Sequence, residues 1–214
     1  MENNLFLLAL IGANVLFSWK GFEDESFFRK YEFHIGSIKS GEQIRMITSG
    51  FLHGDIAHLA FNMIALYSFA QVVISYFGTL TFFLIYFASL IVGNLLTLYF
   101  HKNEYNYRAV GASGAVTGII YAAILLFPDM NIYLFFAIPI KSYIFGFLYL
   151  MYSIYGMKAK NDNIGHTAHF GGAIAGYVFT IAKVPELVSQ SSFIVILLGI
   201  PIILLFIMAY REKI

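Results

Sequence analysis

Residues 79–100 of the chain read TLTFFLIYFASLIVGNLLTLYF, an unbroken run without Asp, Glu, Lys or Arg. A helix that crosses a bilayer needs about 20 mostly apolar residues, so this run predicts a membrane-spanning helix. The whole chain has the same character, since 59% of its 214 residues are hydrophobic and only 12% are charged. Soluble domains carry about a quarter charged residues, so the composition indicates a polytopic membrane protein.

Six further apolar segments accompany this run. They are Leu5–Trp19, Ile56–Tyr76, Ser113–Phe127, Ile140–Gly156, Thr167–Ala182 and Ser192–Tyr210. Lipid requires each segment to pair its own backbone groups, so we predict an all-α polytopic fold. No Lys or Arg precedes the first segment and no small-residue cleavage site follows it, so we expect a retained helix. Residues 20–55 mix charged and aromatic side chains, which is typical of the membrane–water boundary, and we predict a long interfacial loop there.

Charge and cysteine content exclude several classes of protein. The chain has 13 basic and 12 acidic residues without a block of like charge, so nothing in it predicts binding to nucleic acid. It has no cysteine, which excludes disulfides, thiolate metal sites and a cysteine nucleophile. A nucleophile in this chain would have to be Ser, Thr, Lys or a carboxylate.

Polar side chains are costly inside a membrane, so their positions in the apolar segments are the best indication of function. Counted in chain order, with residues 79–100 as the third, the second segment is Ile56–Tyr76. It is preceded by His53 and contains His58 and Asn62. Asn62 follows His58 by four residues, so the two side chains are predicted to lie on one face of a helix.

Ser113 lies at the start of the fourth apolar segment, between Gly111 and Gly114. A serine at a helix start is most often an N-cap, which is the commoner interpretation of this residue taken alone. The glycines add a second possibility, because Gly114 and Gly118 form a small-residue ridge against which another helix can pack closely. Residues 111–115 do not match the Gly-x-Ser-x-Gly pattern of soluble hydrolases, because the fifth position of that pattern is occupied by Ala115.

His169 lies in the sixth apolar segment on a stripe of small residues that includes Gly165, Gly172 and Gly176. A lone membrane histidine is more often a helix contact than a catalyst. Ser113 and His169 each lie beside small residues, however, so we expect their helices to approach until the hydroxyl and a ring nitrogen are about 3 Å apart.

The acidic residues decide between a triad and a dyad. None of the 12 falls well inside an apolar segment, so the sequence favours a Ser–His dyad. Donors of a type suited to an oxyanion hole are the Ser113 backbone N–H, the Asn62 amide and His58.

Three patches in this order resemble the motifs of the rhomboid family of intramembrane serine proteases. They are His53-x4-His58-x3-Asn62, Gly111-x-Ser113-Gly114 and Ala168-His169-x2-Gly172-x3-Gly176. The resemblance implies a six-helix catalytic core in residues 1–185 and an additional C-terminal transmembrane helix in residues 186–214.

The resemblance also implies roles. Ser113 would be the nucleophile and His169 the general base, while His58 and Asn62 would join the Ser113 amide in the oxyanion hole. His53 would be a supporting polar residue at the cavity mouth. The other supporting residues in this interpretation are Gly111, Gly114, Gly172 and Gly176.

The implied activity is that of an intramembrane serine endopeptidase, which cleaves transmembrane helices of membrane-protein substrates through an acyl-enzyme and without a cofactor. Its expected partners are transmembrane substrates and the lipid bilayer, with no nucleic acid and no metal. The family resemblance further suggests small residues at the cleaved bond and a helix-breaking substrate. We expect an integral, multi-pass protein in a bacterial plasma (inner) membrane.

Two positions depart from the family pattern. The first loop of the family often carries a Trp-Arg pair where this chain has Ile44-Arg45. Family members often have an aromatic residue four positions after the serine, packed on the catalytic histidine, where this chain has Thr117. The first departure leaves the anchoring of the loop open. The second predicts that another group orients His169 or that His169 is held less tightly.

Two other functions stay open. The first is a metal site, because His53, His58, His166 and His169 are imidazoles that zinc would accept, although no His-Glu-x-x-His run is present. The second is a catalytically silent member of the family that binds transmembrane helices. Orientation is also open: the family topology, with the serine pocket opposite the cytoplasm, puts all Lys and Arg except Lys141 and Lys183 on the pocket side, against the positive-inside rule.

Overall fold

The computed structural model describes residues 2–134, 137–159 and 164–211. The helices in these ranges are α1 (Glu2–Glu23), α2 (Glu25–Tyr31), α3 (Ile35–Lys39), α4 (Arg45–Thr48), α5 (Ile56–Phe100), α6 (Ser113–Leu126), α7 (Ser142–Ala159), α8 (His166–Lys183), α9 (Leu187–Gln190) and α10 (Ser192–Tyr210). The strands are β1 (Phe33–His34), β2 (Arg108–Ala109), β3 (Asn131–Leu134) and β4 (Ile138–Lys141). Two of the basic residues counted for orientation, Lys160 and Lys213, lie outside the described ranges.

Helix α5 contains the second and third predicted spans. A straight helix of its 45 residues would be about 67 Å long, more than twice the thickness of the apolar core of a bilayer. Gly78 interrupts it with φ of 80°, a left-handed conformation that glycine adopts without strain. His58, near the start of α5, lies beside Gly111, and Gly93, near the end of α5, lies beside the carbonyl group of Ala168, which also neighbours Gly114. The two halves of α5 therefore run antiparallel.

Helix α6 is the central helix of the fold. Every residue from Gly114 to Leu125 is buried, as expected for a helix that is apolar on all sides. The second half of α5 contacts it on one side, where Ser89 fills the space beside Gly118. Helix α8 contacts it on another side, and these contacts position the N-terminus of α6 at the centre of the molecule.

The contact between α6 and α8 is made by backbone against backbone. A Cβ atom added to Gly172 would overlap the carbonyl oxygen of Gly114, and one added to Gly176 would overlap that of Gly118. A Cβ atom on Gly114 would lie 3.1 Å from the carbonyl oxygen of Ala168. This is the close approach that the spacing of the glycines predicts.

The predicted loop begins later than residue 20, because α1 continues to Glu23; residues 24–55 then form short helices, strand β1 and a 3-10 turn (Ser49–Phe51). Arg45 is buried among them: its Nε donates to Glu42 at 2.7 Å, and its Nη1 donates to the carbonyl oxygens of Arg29 at 2.7 Å and Glu32 at 3.0 Å. The loop is therefore anchored by Arg45 even though isoleucine precedes it.

The same loop is tied to the segment that leads to Ser113. Strands β1 and β2 pair antiparallel, with Phe33 opposite Ala109. The buried carboxylate of Glu32 accepts from Arg108, one residue before Ala109. These contacts connect the loop to the strand that precedes Ser113.

By length and apolar composition, three helices in the described ranges qualify as membrane spans: Leu5–Glu23, Ile56–Phe100, which holds two spans, and Ser192–Tyr210. The fifth predicted span was placed too early, because residues 138–141 pair as β4 with β3 and the helix begins at Ser142. The hairpin satisfies the backbone around Pro139, which has no N–H to give to a helix.

The predicted seventh span is α10, which lies against α7 and α8. A Cβ atom added to Gly146 of α7 would lie 3.1 Å from Leu198, and Tyr177 of α8 donates to the carbonyl oxygen of Val195 at 2.8 Å. The division of the chain at residue 185 stays a prediction.

Candidate active site

Ser113 and His169 lie within hydrogen-bond distance. The Oγ of Ser113, at the start of α6, is 2.8 Å from Nε2 of His169, in the first turn of α8. The glycine contact between the two helices brings their backbones close enough for these short side chains to meet. Ser113 is half-buried and His169 is buried.

Ser113 does not cap its helix. The N-cap position of α6 is occupied by Ala112, and Ser113 is the first helical residue. Its hydroxyl is therefore available to His169, so the commoner interpretation of a serine at a helix start does not apply here.

Gly111 shapes the turn before Ser113. Its φ of 130° lies in the left-handed region, and its N–H donates to the carbonyl oxygen of Ser49 at 3.0 Å. A Cβ atom at this position would lie 2.8 Å from Cε1 of His58 and 3.6 Å from Oγ of Ser113. The glycine thus leaves room for the imidazole of His58 beside the serine.

His58 and Asn62 lie on the first half of α5, facing the same cavity as Ser113. The N–H of His58 donates to the N-cap carboxylate of Asp55 at 2.7 Å. Asn62 donates from Nδ2 to the carbonyl oxygen of His58 at 3.1 Å. An amide nitrogen carries two N–H groups, so this bond engages one of them.

His53 is fully buried behind the Ser113 turn, and not at the cavity mouth as the resemblance implies. Its Nε2 accepts from the N–H of Ala112 at 3.4 Å, and its Nδ1 lies 2.8 Å from Oγ of Ser18 on α1. Burial lowers the pKa of His53 to about 3, with a smaller contribution from His58. A neutral His53 thus links α1 to the turn that presents the serine.

Tyr149 of α7 is the neighbour of His169 on the Nδ1 side of its ring. Its hydroxyl lies 2.9 Å from Nδ1 of His169 and 3.2 Å from Oγ1 of Thr117. The rings of Tyr149 and His169 are stacked, with centroids 5.6 Å apart. The departure at Thr117 raises the question of which group contacts His169 instead, but nothing in the sequence distinguishes Tyr149 among 15 tyrosines.

A cavity of about 1290 Å³ surrounds the serine and histidine. Ser113, His169, His58 and Asn62 are in its wall, and loop residues extend the wall beyond them. The charged and histidine side chains of that extension are Asp55, His101, Glu104, Arg108 and His166. These side chains add hydrogen-bonding groups to a wall that is otherwise largely apolar.

The histidines do not form a metal centre in the part of the chain that the structure describes. No group of three or more His, Asp or Glu side chains there is arranged to hold a metal ion. The four imidazoles form two separate pairs, with ring centroids 5.0 Å apart for His53 and His58 and 6.1 Å apart for His166 and His169.

Fold and site together define a polytopic helical membrane protein with a serine hydrogen-bonded to a histidine in the wall of an internal cavity. A family model described as the Rhomboid domain matches residues 40–186. The chain belongs to the rhomboid family.

Several curated proteins are similar to it. RHOMBOID-like protein 12, mitochondrial, of Arabidopsis thaliana is 30% identical over 181 residues, which are 78% of this chain and 54% of the relative. Rhomboid protein 1, mitochondrial, of Saccharomyces cerevisiae is 31% identical over 150 residues, covering 67% and 43%. Rhomboid protease GluP of Bacillus subtilis is 34% identical over 140 residues, covering 65% and 26%. The chain thus spans about half the length of the first two relatives or less.

Proposed function

We propose that the protein is an intramembrane serine endopeptidase that cleaves transmembrane helices of membrane-protein substrates. The observation that carries the proposal is the 2.8 Å contact between Oγ of Ser113 and Nε2 of His169. An imidazole at this distance takes the hydroxyl proton as the oxygen attacks a carbonyl. One relative, GluP, is itself named a rhomboid protease.

The reaction has two halves. Ser113 attacks a peptide carbonyl while His169 takes its proton, and the protonated His169 then gives that proton to the leaving amine. Water attacks the resulting acyl-enzyme with His169 again as the base, which releases the second product and restores the serine. The oxyanion of each tetrahedral intermediate is stabilised by the Ser113 N–H, with His58 and the Asn62 amide as further donors.

The length of α6 supports cleavage at membrane depth. Its 14 residues make a helix of about 21 Å, shorter than the apolar core of about 30 Å. In a bilayer, a central helix of this length would hold Ser113, at its start, below the membrane surface. The polar side chains in the cavity wall, among them His58, Asn62 and Arg108, would then give water hydrogen-bonding partners at that depth.

Substrate and location are proposed from the family resemblance. The substrates are transmembrane helices with small residues at the cleaved bond and an unstable segment near it. The bacterial plasma membrane is kept as the proposed location, although the similar proteins come from mitochondria as well as from Bacillus.

A fluorophosphonate probe tests the proposal, because it reacts only with an activated serine. We expect detergent-purified wild type to be labelled, and Ser113→Ala and His169→Ala to be unlabelled. Ser68→Ala is the matched control, since Ser68 is an exposed helical serine that donates to the carbonyl oxygen of Ile64, and it should label like wild type. A folded wild type that is not labelled would overturn the proposal in favour of a catalytically silent helix-binding protein.

A further inference from the structure

A chain of hydrogen bonds runs from the back of His169 to the backbone of Ser113. Nδ1 of His169 lies 2.9 Å from the hydroxyl of Tyr149, which lies 3.2 Å from Oγ1 of Thr117. Oγ1 of Thr117 then donates to the carbonyl oxygen of Ser113 at 2.7 Å. From this chain we infer that Tyr149 and Thr117 are positioning residues that hold His169 as the tautomer protonated at Nδ1.

The direction of each bond follows from its last acceptor. A carbonyl oxygen only accepts, so the single proton of the Thr117 hydroxyl is committed to Ser113. Thr117 must then accept from the Tyr149 hydroxyl, whose oxygen in turn accepts from Nδ1–H of His169. Nε2 is left with a lone pair that faces the hydroxyl of Ser113, which is the state a general base requires.

The position of Tyr149 is itself fixed. Its ring is stacked between those of Phe145, with centroids 5.7 Å apart, and His169. Helix α7 is tied to α6 one turn earlier, where Tyr121 donates to the carbonyl oxygen of Gly146 at 2.6 Å. The hydroxyl therefore meets Nδ1 with little loss of side-chain freedom.

The chain performs part of the work that a carboxylate performs in a triad. A carboxylate selects the tautomer and stabilises the imidazolium with its charge, whereas a neutral hydroxyl selects the tautomer and stabilises the imidazolium only through one hydrogen bond. The kinetic part of this inference rests on the proposed function, while the tautomer itself does not.

Nitrogen NMR of protein labelled with 15N in the histidine rings tests the tautomer directly. The His169 signals are assigned by their loss in His169→Gln. We expect wild type to carry the His169 proton at Nδ1, and Tyr149→Phe, which keeps the stacked ring, to give a mixture of both tautomers. Tyr155→Phe removes an exposed hydroxyl from the same helix and should match wild type.

Thr117 supplies a second pair of variants. Thr117→Val removes the acceptor of the Tyr149 proton and should also mix the tautomers, while Thr117→Ser keeps a hydroxyl and should restore the wild-type signals. An unchanged His169 tautomer in folded Tyr149→Phe would overturn the inference, as would wild-type signals in Thr117→Val.

Fluorophosphonate labelling separates this inference from the proposed function. We expect the labelling rate of Tyr149→Phe to fall about tenfold, the effect of losing one buried hydrogen bond in the transition state. With a cleavable substrate, kcat should fall by the same factor and KM should not change. If wild type is not labelled but the tautomer responds as expected, the protease proposal fails and the tautomer inference stands.

Discussion

The turn that leads into Ser113 is held on two sides, by a backbone contact on the α8 side and by side-chain hydrogen bonds on the loop side. On the α8 side the helices touch through glycine backbone, and no side chain intervenes between Gly172 and Gly114. On the loop side the turn is held by side chains, with Arg45 and Glu32 buried in a network of charge-assisted hydrogen bonds. A backbone contact has no rotamer through which to relax, whereas a side-chain network can yield and responds to pH.

This difference predicts which changes the molecule tolerates. Substitutions at the glycine contact should abolish the reactivity of Ser113 rather than reduce it, because the spacing of α6 and α8 also sets the distance between Ser113 and His169. Alterations in the loop should be graded, because each removes only some of the bonds that hold the turn.

The largest effect is expected for Gly172→Ala. The added methyl group would overlap the carbonyl oxygen of Gly114, so the helices must separate at a cost of about 3 kcal/mol or more. Thermal unfolding should show this loss, and fluorophosphonate labelling of Ser113 should disappear. Gly12→Ala is the control, because a Cβ on Gly12 has nothing within 4 Å; wild-type behaviour of both variants would contradict the rigid contact.

A smaller effect is expected for Arg45→Met. It leaves the carbonyl oxygens of Arg29 and Glu32 without their donor, and losing buried bonds to a charged group costs about 2–3 kcal/mol. Chemical denaturation should measure the loss, with labelling reduced but present. Lys30→Met, which removes an exposed charge from the same loop, should be neutral, and equal stabilities of the two variants would refute the anchoring role.

The loop side should also respond to pH through His53. Burial lowers its pKa to about 3, so below pH 6.5 the unfolded state binds a proton that the folded state does not. Stability is therefore highest above pH 6.5 and falls as the pH drops, by about 2 kcal/mol at pH 5. Unfolding of wild type and His53→Gln at pH 7 and pH 5 checks this, and an equal loss in both proteins would contradict it. Asp55 and His58, the titratable neighbours, are present in both.

Most of the helical frame could be predicted from sequence, because a bilayer imposes length and composition on each span. The prediction for α10 matches its bounds, and that for α8 differs by one residue at each end. Glycines at a spacing of four residues likewise predicted the contact between α6 and α8, since their effect is local to each helix.

What the sequence could not supply depends on contacts between distant segments. The burial of Arg45 and the bond from Tyr149 to His169 join residues of different elements, and no local pattern encodes such contacts. The β3–β4 hairpin was missed for a different reason: Ile138–Lys141 is apolar enough to extend the following helix, and only its pairing with β3 decides otherwise.

The proposed activity of the Ser113–His169 pair is the cleavage of a helix within the membrane. We would reconstitute the protein in liposomes with tagged single-helix reporters that carry Ala-Gly, Ala-Ala or Leu-Leu pairs in their outer third, and locate the cut by mass spectrometry. We expect wild type to cut the reporters inside the apolar segment into two fragments, favouring the small pairs, and Ser113→Ala to leave them intact. Reporters left intact by folded wild type, or cleavage that persists in Ser113→Ala, would contradict it.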